Sequence, residues 1–289
     1  MKRSTLALAA ALCLLPLSAI AHKQWLVPSS TVVAGQDAWV TVDAAVSNQL
    51  YYPDHVAMRL DSIVVTAPDG SVSKPQNPAT GKYRSVFDVQ LEQEGTYRIA
   101  NLSGGVSARW DTPESLAAAK DGKAAPAGGM GGPGGGRGGF LRNATAEDLA
   151  TKIPKNARNV QVTEGVGRVE TFVTHGAPSD IAPIGKGLEL APVTHPNDLF
   201  AGEEATFKLL VDGQPAAGVE VEIIRGGTRY RNAQDEIRAT TGADGSFKVT
   251  WPEAGMYWLE AATTDGKTSV PQAKQRRLMY VATLEVLPQ

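Results

Sequence analysis

Residues 93–99 read Gln93-Glu94-Gly95-Thr96-Tyr97-Arg98-Ile99, and the architecture of the chain follows from this short run. An acidic residue, a glycine and a tyrosine at the entrance to a strand resemble the tyrosine corner of β-sandwiches, where the phenol tethers the chain as it crosses between two sheets. The same arrangement returns in the second half as Glu253-Ala254-Gly255-Met256-Tyr257. We expect Tyr97 and Tyr257 to occupy equivalent corners, so the sequence predicts two similarly built β domains in tandem.

Alternating apolar and polar side chains surround both corners. Val40, Val42 and Ala44 alternate with polar residues in the first half, and the run 219–223 alternates in the same way in the second. A period of two residues is typical of strands with one buried face, and an Asp-Gly pair at 69–70 marks a turn between two of them. The sequence therefore predicts an all-β fold of two tandem immunoglobulin-like β-sandwich domains.

A different kind of sequence separates the two halves. Residues 128–139 are mostly glycine, and such a segment cannot bury enough apolar surface to offset the entropy that it would lose on folding. Short helical segments flank it at 114–120 and 145–150, and the second has Thr145 as its N-cap with Asp148 three residues later. We therefore predict a flexible, glycine-rich, partly helical insertion in the first domain.

The amino-terminal segment has the composition of a signal peptide. Lys2 and Arg3 precede an uncharged run rich in leucine and alanine, and Ala19 and Ala21 occupy the small-residue positions that an exporting peptidase requires. We predict that the signal peptide is removed and that the mature protein resides in the periplasm. In chain order, the predicted organisation is a signal peptide at 1–21, an N-terminal domain at 22–186 with its insertion at about 113–157, and a C-terminal domain at 187–289.

Composition limits the partners and the chemistry. Without Lys2 and Arg3 the chain has fewer basic residues than its 30 acidic ones, which argues against nucleic acid as a partner. The single cysteine, Cys13, lies inside the predicted signal peptide, so the mature chain is expected to have neither a disulfide nor a thiolate site. After the signal peptide no apolar run approaches the roughly 18 residues of a membrane span, and we predict no stable membrane insertion.

Histidine is scarce and therefore informative. The four histidines are His22, His55, His175 and His195. Cleavage after Ala21 would make His22 the first residue, with an amine that titrates near ~8 and an imidazole on one residue, close enough to hold one metal ion. One further imidazole would complete a three-nitrogen site suited to copper or, with added ligands, to nickel or cobalt. We predict a metal site formed by His22, His195 and His55.

Other interpretations of these residues stay open. His22 is also compatible with a disordered tail left by the peptidase, and the other histidines with ordinary hydrogen-bonded side chains. Copper-dependent oxidative cleavage of polysaccharides starts from an amino-terminal histidine too, but it requires a flat binding face that sequence does not show. Serine stands in no Gly-x-Ser-x-Gly motif, and we predict a non-enzymatic protein. The competing class is a metal-free β-sandwich module that binds a partner protein or a glycan.

Several motifs together resemble a known family. They are the start His22-Lys23-Gln24-Trp25-Leu26-Val27-Pro28, the segment 188–199 around Thr194-His195-Pro196, and the run 211–221 that begins Val211-Asp212-Gly213. Apart from the insertion, the mature chain resembles the NikM-like periplasmic proteins of nickel and cobalt uptake, and its second half is similar to transthyretin-like, carboxypeptidase-regulatory β-sandwiches. The resemblance implies an exported metal-handling or transport-accessory protein whose partner is a membrane uptake transporter, with His22 and His195 at motif positions.

Overall fold

The computed structural model describes residues 22–120 and 138–289. The predicted signal peptide and most of the glycine-rich stretch lie outside these described residues. Within them β-strands dominate, and the all-β fold class is confirmed. Neither of the two α-helices in the described ranges is long and apolar enough to cross a membrane.

Strands follow one another along both halves of the described chain, with two helices near the end of the first. In chain order, the first half contains β1 (Lys23–Pro28), β2 (Val32–Val33), β3 (Trp39–Ser47), β4 (Val56–Ala57), β5 (Ile63–Thr66), β6 (Val72–Ser73), β7 (Gln76–Thr80), β8 (Ser85–Gln90), β9 (Gly95–Asp111), α1 (Pro113–Lys120), β10 (Phe140–Leu141), α2 (Ala146–Thr151) and β11 (Arg158–His175). The second half contains β12 (Leu188–Pro192), β13 (Glu204–Val211), β14 (Gln214–Pro215), β15 (Glu220–Arg225), a 3-10 turn (Thr228–Tyr230), β16 (Ile237–Thr240), β17 (Ser246–Thr250), β18 (Gly255–Asp265) and β19 (Gln275–Val286).

These strands form three sheets that stack as layers. An outer N-terminal sheet has the order β1-β3-β8-β7, with β4 also paired to β3. The middle layer is a ten-stranded shared sheet in the order β16-β15-β18-β19-β11-β9-β5-β6, with β2 paired to β11 and β10 to β9. An outer C-terminal sheet has the order β12-β13-β14, with β17 paired to β13.

The shared sheet buries side chains on both faces because its strands alternate between two hydrophobic cores. On β19, Val281 belongs to the core beneath the N-terminal sheet, whereas Tyr280 and Ala282 belong to the core beneath the C-terminal sheet. On β18, Trp258 belongs to the core beneath the N-terminal sheet and Leu259 to the core beneath the C-terminal sheet. Each half of the chain is thus a β-sandwich, as the sequence predicts, and the two sandwiches share their middle layer.

A parallel pair of strands joins the two halves. β11 lies beside β19 in continuous register from Thr163 opposite Gln275 to Thr171 opposite Thr283. On their other sides, β11 pairs with β9 and β19 pairs with β18, both antiparallel. The sequence predicts two tandem domains and does not address a contact between them. The structure places β19 in the interior of a sheet to which both halves contribute.

Both tyrosine corners form as predicted. The Tyr97 hydroxyl accepts a hydrogen bond from the Gln93 N–H at 2.7 Å, and the Tyr257 hydroxyl donates one to the Glu253 carbonyl at 2.7 Å. The glycine two residues before each tyrosine has a φ of 127° in the first corner and 140° in the second. Both rings are buried, so each phenol ties the turn before its strand to the edge of a core.

Two short helices flank the undescribed part of the insertion, as the sequence predicts. At the start of α2 the Thr145 hydroxyl accepts a hydrogen bond from the Asp148 N–H at 3.1 Å, and the Asp148 carboxylate accepts one from the Thr145 N–H at 2.9 Å. This reciprocal capping box satisfies two N–H groups that the helix leaves unpaired. Leu149 of α2 packs with Trp110 of β9 in a small third core, which fixes the helix against the shared sheet.

A buried charge cluster lies on the face of the shared sheet that carries Tyr280. One oxygen of the fully buried Glu170 carboxylate accepts a hydrogen bond from the Tyr280 hydroxyl at 2.5 Å, and the other lies 3.5 Å from Arg98 Nε and 3.4 Å from Arg168 Nη1. Burial, followed by the charge of Glu170, raises the pKa of Tyr280 well above its ordinary value. The chain between the two halves crosses this Glu170 cluster, and the Ala182 carbonyl accepts a hydrogen bond from Arg98 at 3.3 Å.

Candidate metal site

The structure brings two of the three predicted ligands together. The imidazole rings of His22 and His55 lie face to face, with centroids 3.9 Å apart and planes inclined by 23°. His22 is half-buried and His55 is exposed. The pair therefore lies at the surface, at one end of the N-terminal sheet, where a solute has access to both rings.

Two tryptophans fix the chain that follows His22. β1 begins one residue later and pairs with β3 along its whole length. The indole N–H of the buried Trp25 donates to the Ser47 hydroxyl at 2.9 Å. Trp258 of the shared sheet donates its indole N–H to the Gln24 carbonyl, also at 2.9 Å. One indole from each half thus holds the residues next to His22 in place.

A tight loop presents His55 from the opposite edge of β3. β4 pairs with residues 45–46 of β3, and β1 pairs with the same residues, so the two strands must lie on opposite sides of β3. The Asp54 carboxylate accepts a hydrogen bond from the Asn48 N–H at 2.7 Å, which closes the loop between β3 and β4. His22 and His55 therefore approach each other across the end of β3.

Tyr51 anchors this loop to the second half of the chain. Its φ of 61° is unusual for a bulky residue and implies that its surroundings hold it there. Its ring packs edge-on to Trp25 at 5.8 Å, and a Cβ added to Gly226 would stand 2.9 Å from it. The Tyr51 hydroxyl is buried close to that of Thr283, and burial raises the pKa of Tyr51 above its ordinary value. The position of His55 thus depends on a glycine of the other half.

Replacing Gly226 with alanine is expected to loosen the histidine pair. The added methyl group would stand 2.9 Å from the Tyr51 ring and 3.2 Å from the Met256 carbonyl. Overpacking of this kind should lower the free energy of unfolding by about 1–3 kcal/mol. Because Tyr51 would move with its loop, NMR spectra should show the ring resonances of His55 shifted. Gly266→Ala is the matched control, since nothing lies within 4 Å of its added Cβ. Equal responses of the two variants would contradict the anchoring role.

The loop that carries His55 also makes an exposed aromatic contact. Tyr52 lies edge-on to Tyr230, with ring centroids 6.4 Å apart, and the Arg229 guanidinium stands 4.4 Å over the Tyr52 ring. Tyr230 is 79% exposed, and with Arg229 it belongs to the 3-10 turn of the second half. Both halves of the chain thus contribute to the surface around this loop.

His195, the third predicted ligand, lies elsewhere. Its Nε2 is 2.9 Å from the Thr96 hydroxyl, and its Nδ1 accepts a hydrogen bond from the Asn197 N–H at 3.2 Å. Thr96 lies on the face of the shared sheet that carries Phe172 of the C-terminal core, whereas the N-terminal sheet with β1 covers the opposite face. Burial lowers the pKa of His195 below its ordinary value. Both of its ring nitrogens have protein partners, and the structure does not bring this residue to His22.

His175 also has a structural role. Its ring lies between two carbonyl oxygens, with Nδ1 3.2 Å from that of Gln93 and Nε2 2.8 Å from that of Gly35. The ring therefore links the first tyrosine corner to the loop that follows β2. This arrangement leaves neither nitrogen directed at a free ligand.

The histidine pair supplies two imidazoles to a candidate metal site. In the part of the chain that the structure describes, no three His, Cys, Asp or Glu side chains form a group that could hold a metal ion. Stacked rings also do not coordinate a metal as they stand, because each must turn until a ring nitrogen points at the ion. A terminal amine on His22 would supply the third nitrogen within immediate reach, since it belongs to the same residue as one of the rings.

The sequence prediction included both histidines of the pair, together with His195, but it missed the residues that support them. Tyr51 and Gly226 come from different halves, and neither belongs to a motif. One sequence feature does point to this loop. The run Tyr51-Tyr52-Pro53-Asp54, directly before His55, combines aromatic residues with a turn. It indicates a constrained loop, but it does not indicate what the loop packs against.

The chain has a family match and distant structural neighbours. A family model described as "Domain of unknown function (DUF4198)" matches residues 19–265. The ligand-binding domain of human OSCAR is 12% identical, with 92% of this chain and 100% of that chain covered and a TM-score of 0.19. The D0-D1 domain of intimin is 9% identical, with 90% of this chain and 97% of that chain covered and a TM-score of 0.21. A search of the curated proteins found no match.

Proposed function

This chain belongs to the DUF4198 family, a family of domains of unknown function, and on that premise we propose an exported, non-enzymatic protein that binds a divalent transition metal or assists its uptake. The ligands in this proposal are the amine and ring of His22, after cleavage behind Ala21, and the ring of His55. Three nitrogen donors suit copper, and nickel or cobalt with added ligands. The resemblance to NikM-like proteins supports nickel or cobalt as cargo and a membrane uptake transporter as partner.

The contact between His22 and His55 carries the proposal. Their rings are 3.9 Å apart although they come from opposite edges of β3, and separate hydrogen bonds fix the two segments. His22 directly precedes β1, so cleavage after Ala21 would place the new amine at the end of a sheet rather than on a long tail. A metal would then find two of its three nitrogens on one held residue, which reduces the entropy lost on binding.

Calorimetric titration of the mature, metal-free protein with copper, nickel and cobalt tests this proposal. One variant carries a single alanine ahead of His22, which moves the amine away from the ring while every side chain remains. A second variant is His55→Gln. Removing a partner that only orients a ligand costs about 10–100-fold in metal affinity, so removing a ligand should cost at least about 100-fold. We expect both variants to lose that much affinity for the best-bound metal.

His175→Gln is the control for loss of an imidazole, because His175 lies between two backbone carbonyls away from the pair. Its metal affinity should equal that of the unaltered protein. Equal affinity of the alanine-extended variant would eliminate the amine as a ligand. Mass spectrometry of the secreted protein provides a second test, since a first residue other than His22 would contradict the predicted cleavage.

A metal-free interaction module is the second candidate. The observation that favours it is the exposed contact of Tyr52 with Tyr230 and Arg229, because aromatic and arginine side chains are enriched where proteins bind partners. Tyr230→Ala should leave metal affinity unchanged under the first proposal. If the protein binds no metal and Tyr230→Ala abolishes binding to cell-envelope glycan, the second candidate replaces the first.

A further inference from the structure

We propose that a cleft on the shared sheet binds an organic anion that has an apolar body and a single anionic head group. The cleft has a volume of about 430 Å³ and opens on the face of β9 and β11 that carries Arg168. Its walls are the residues that lead into β12, at 186–188, and the turn between β18 and β19 with Lys267 and Ser269. The site is separate from the histidine pair and does not depend on the proposed metal.

One glycine keeps the floor of this cleft low. Gly104 of β9 lies on the same face as Arg168 and pairs with Val166 of β11, whereas Gly105, Gly165 and Gly167 face the other side of the sheet. Residues 102–105 are exposed although their strand runs through a ten-stranded sheet. Glycine in the interior of a strand weakens it, and it often marks a place where a ligand or another backbone approaches closely. The bare backbone here leaves room for such a molecule.

Two exposed cations stand on the walls. The ammonium groups of Lys186 and Lys267 form no salt bridge or hydrogen bond with the described residues, and Lys267 is near enough to Asp212 to help lower the pKa of that carboxyl. Arg168 also lines the cleft, is only 8% exposed, and donates one long hydrogen bond of 3.4 Å to Glu170. The guanidinium therefore has donors left for a further acceptor.

The acidic groups nearby are already occupied. Arg276 Nη2 lies 2.6 Å from the carboxylates of both Asp212 and Asp265. The Glu164 carboxylate accepts hydrogen bonds from the Ser269 N–H at 2.6 Å and from its hydroxyl at 2.5 Å. Arg276 and Ser269 hold these carboxylates in place, so the exposed ammonium groups of the two lysines are donors still open to a soluble anion.

Apolar residues also line the cleft. Leu102 and Val166 lie on the same face as Arg168, and Leu188 lies at one wall. A cation-bordered apolar cleft is complementary to a molecule that has both a hydrocarbon or aromatic part and one negative group. Because lysine ammonium groups are point charges without the planar fork of arginine, the lysines should accept a carboxylate or a sulfonate alike.

Fluorescence titration of the metal-free mature protein with anilinonaphthalene sulfonate tests the inference. This dye is an amphipathic anion whose emission rises in an apolar site. We expect saturable binding of one dye per chain and competition by decanoate. The double variant Lys186→Gln, Lys267→Gln should bind the dye about tenfold more weakly, which corresponds to about 1.4 kcal/mol. Leu102→Trp, which fills the cleft and leaves both lysines in place, should also weaken binding.

The matched control removes two lysines elsewhere. Lys82 and Lys155 are exposed and lie outside the cleft, so Lys82→Gln, Lys155→Gln changes the net charge equally and should bind the dye as the unaltered protein does. Decanol serves as the neutral competitor with the same chain. Equal weakening in both double variants, or equal displacement by decanol and decanoate, would overturn the proposed head-group contact. Dye binding at several equivalent sites would overturn the cleft as its location.

Discussion

Replacing Glu170 with alanine is expected to lower the free energy of unfolding by about 3–5 kcal/mol. The carboxylate is fully buried between Arg98 and Arg168, which are 5% and 8% exposed. Its removal leaves two guanidinium groups in the interior without their counter-charge, and Arg98 Nε and Nη2 already lack hydrogen-bond partners among the described residues. The Tyr280 hydroxyl would lose its acceptor as well. Denaturant unfolding at neutral pH measures the change.

Two further variants separate the buried charge from a simple loss of contacts. Glu222→Ala breaks an exposed ion pair with Arg238 at 3.4 Å and should change stability by only about 0–1 kcal/mol. The triple replacement Arg98→Met, Arg168→Met, Glu170→Leu removes all three charges and should be clearly more stable than Glu170→Ala. A triple variant as unstable as the single one would show that uncompensated charge is not the cause.

Replacing Gly95 with alanine is expected to cost about 2–6 kcal/mol, from two separable causes. Its φ of 127° is a conformation that side chains with a Cβ rarely adopt. The added Cβ would also stand 2.7 Å from the Pro68 ring and 2.8 Å from the Ser179 hydroxyl, so neighbouring groups must move. Thermal or denaturant unfolding of the variant measures the sum of both costs.

The second corner supplies a matched control within the same chain. Gly255 has a φ of 140°, but an added Cβ would meet nothing closer than Arg225 at 3.7 Å. Gly255→Ala should therefore show the backbone cost alone, about 1–3 kcal/mol. The difference between the two variants measures the steric part. If Gly255→Ala were the more damaging of the two, crowding around Gly95 would not explain its role.

Local features of this fold could be predicted from the sequence because local rules govern them. The hydrogen bonds of Tyr97 and Tyr257 span four residues, and the capping box of Thr145 with Asp148 spans three. Each depends on residue types at fixed short spacing.

The shared sheet could not be predicted in this way. Pairing of β11 with β19 joins residues more than a hundred positions apart, and no short pattern encodes a parallel partner at that separation. The burial of Glu170 could not be predicted either. A charged residue in an alternating strand indicates a solvent-facing side, whereas here that side is buried against Tyr280. The sequence does not distinguish a charged side chain that is paired in the interior from one that water solvates.

The candidate site was predicted in part. The sequence prediction grouped His22, His55 and His195, and the structure places the rings of the first two in contact. His195 was included in the predicted site because of its motif, but in the structure this motif forms a hydrogen-bonded turn with Asn197. A histidine before proline has structural uses as well as chemical ones, and spacing alone does not distinguish them.

The position of β19 has a consequence for how the protein folds. This strand lies between β18 and β11, so the middle layer has a gap until residues 275–286 are present. Both cores contain side chains of this strand, so neither sandwich can be complete until residues 275–286 have joined the sheet. We therefore expect the two halves to unfold together, in one transition.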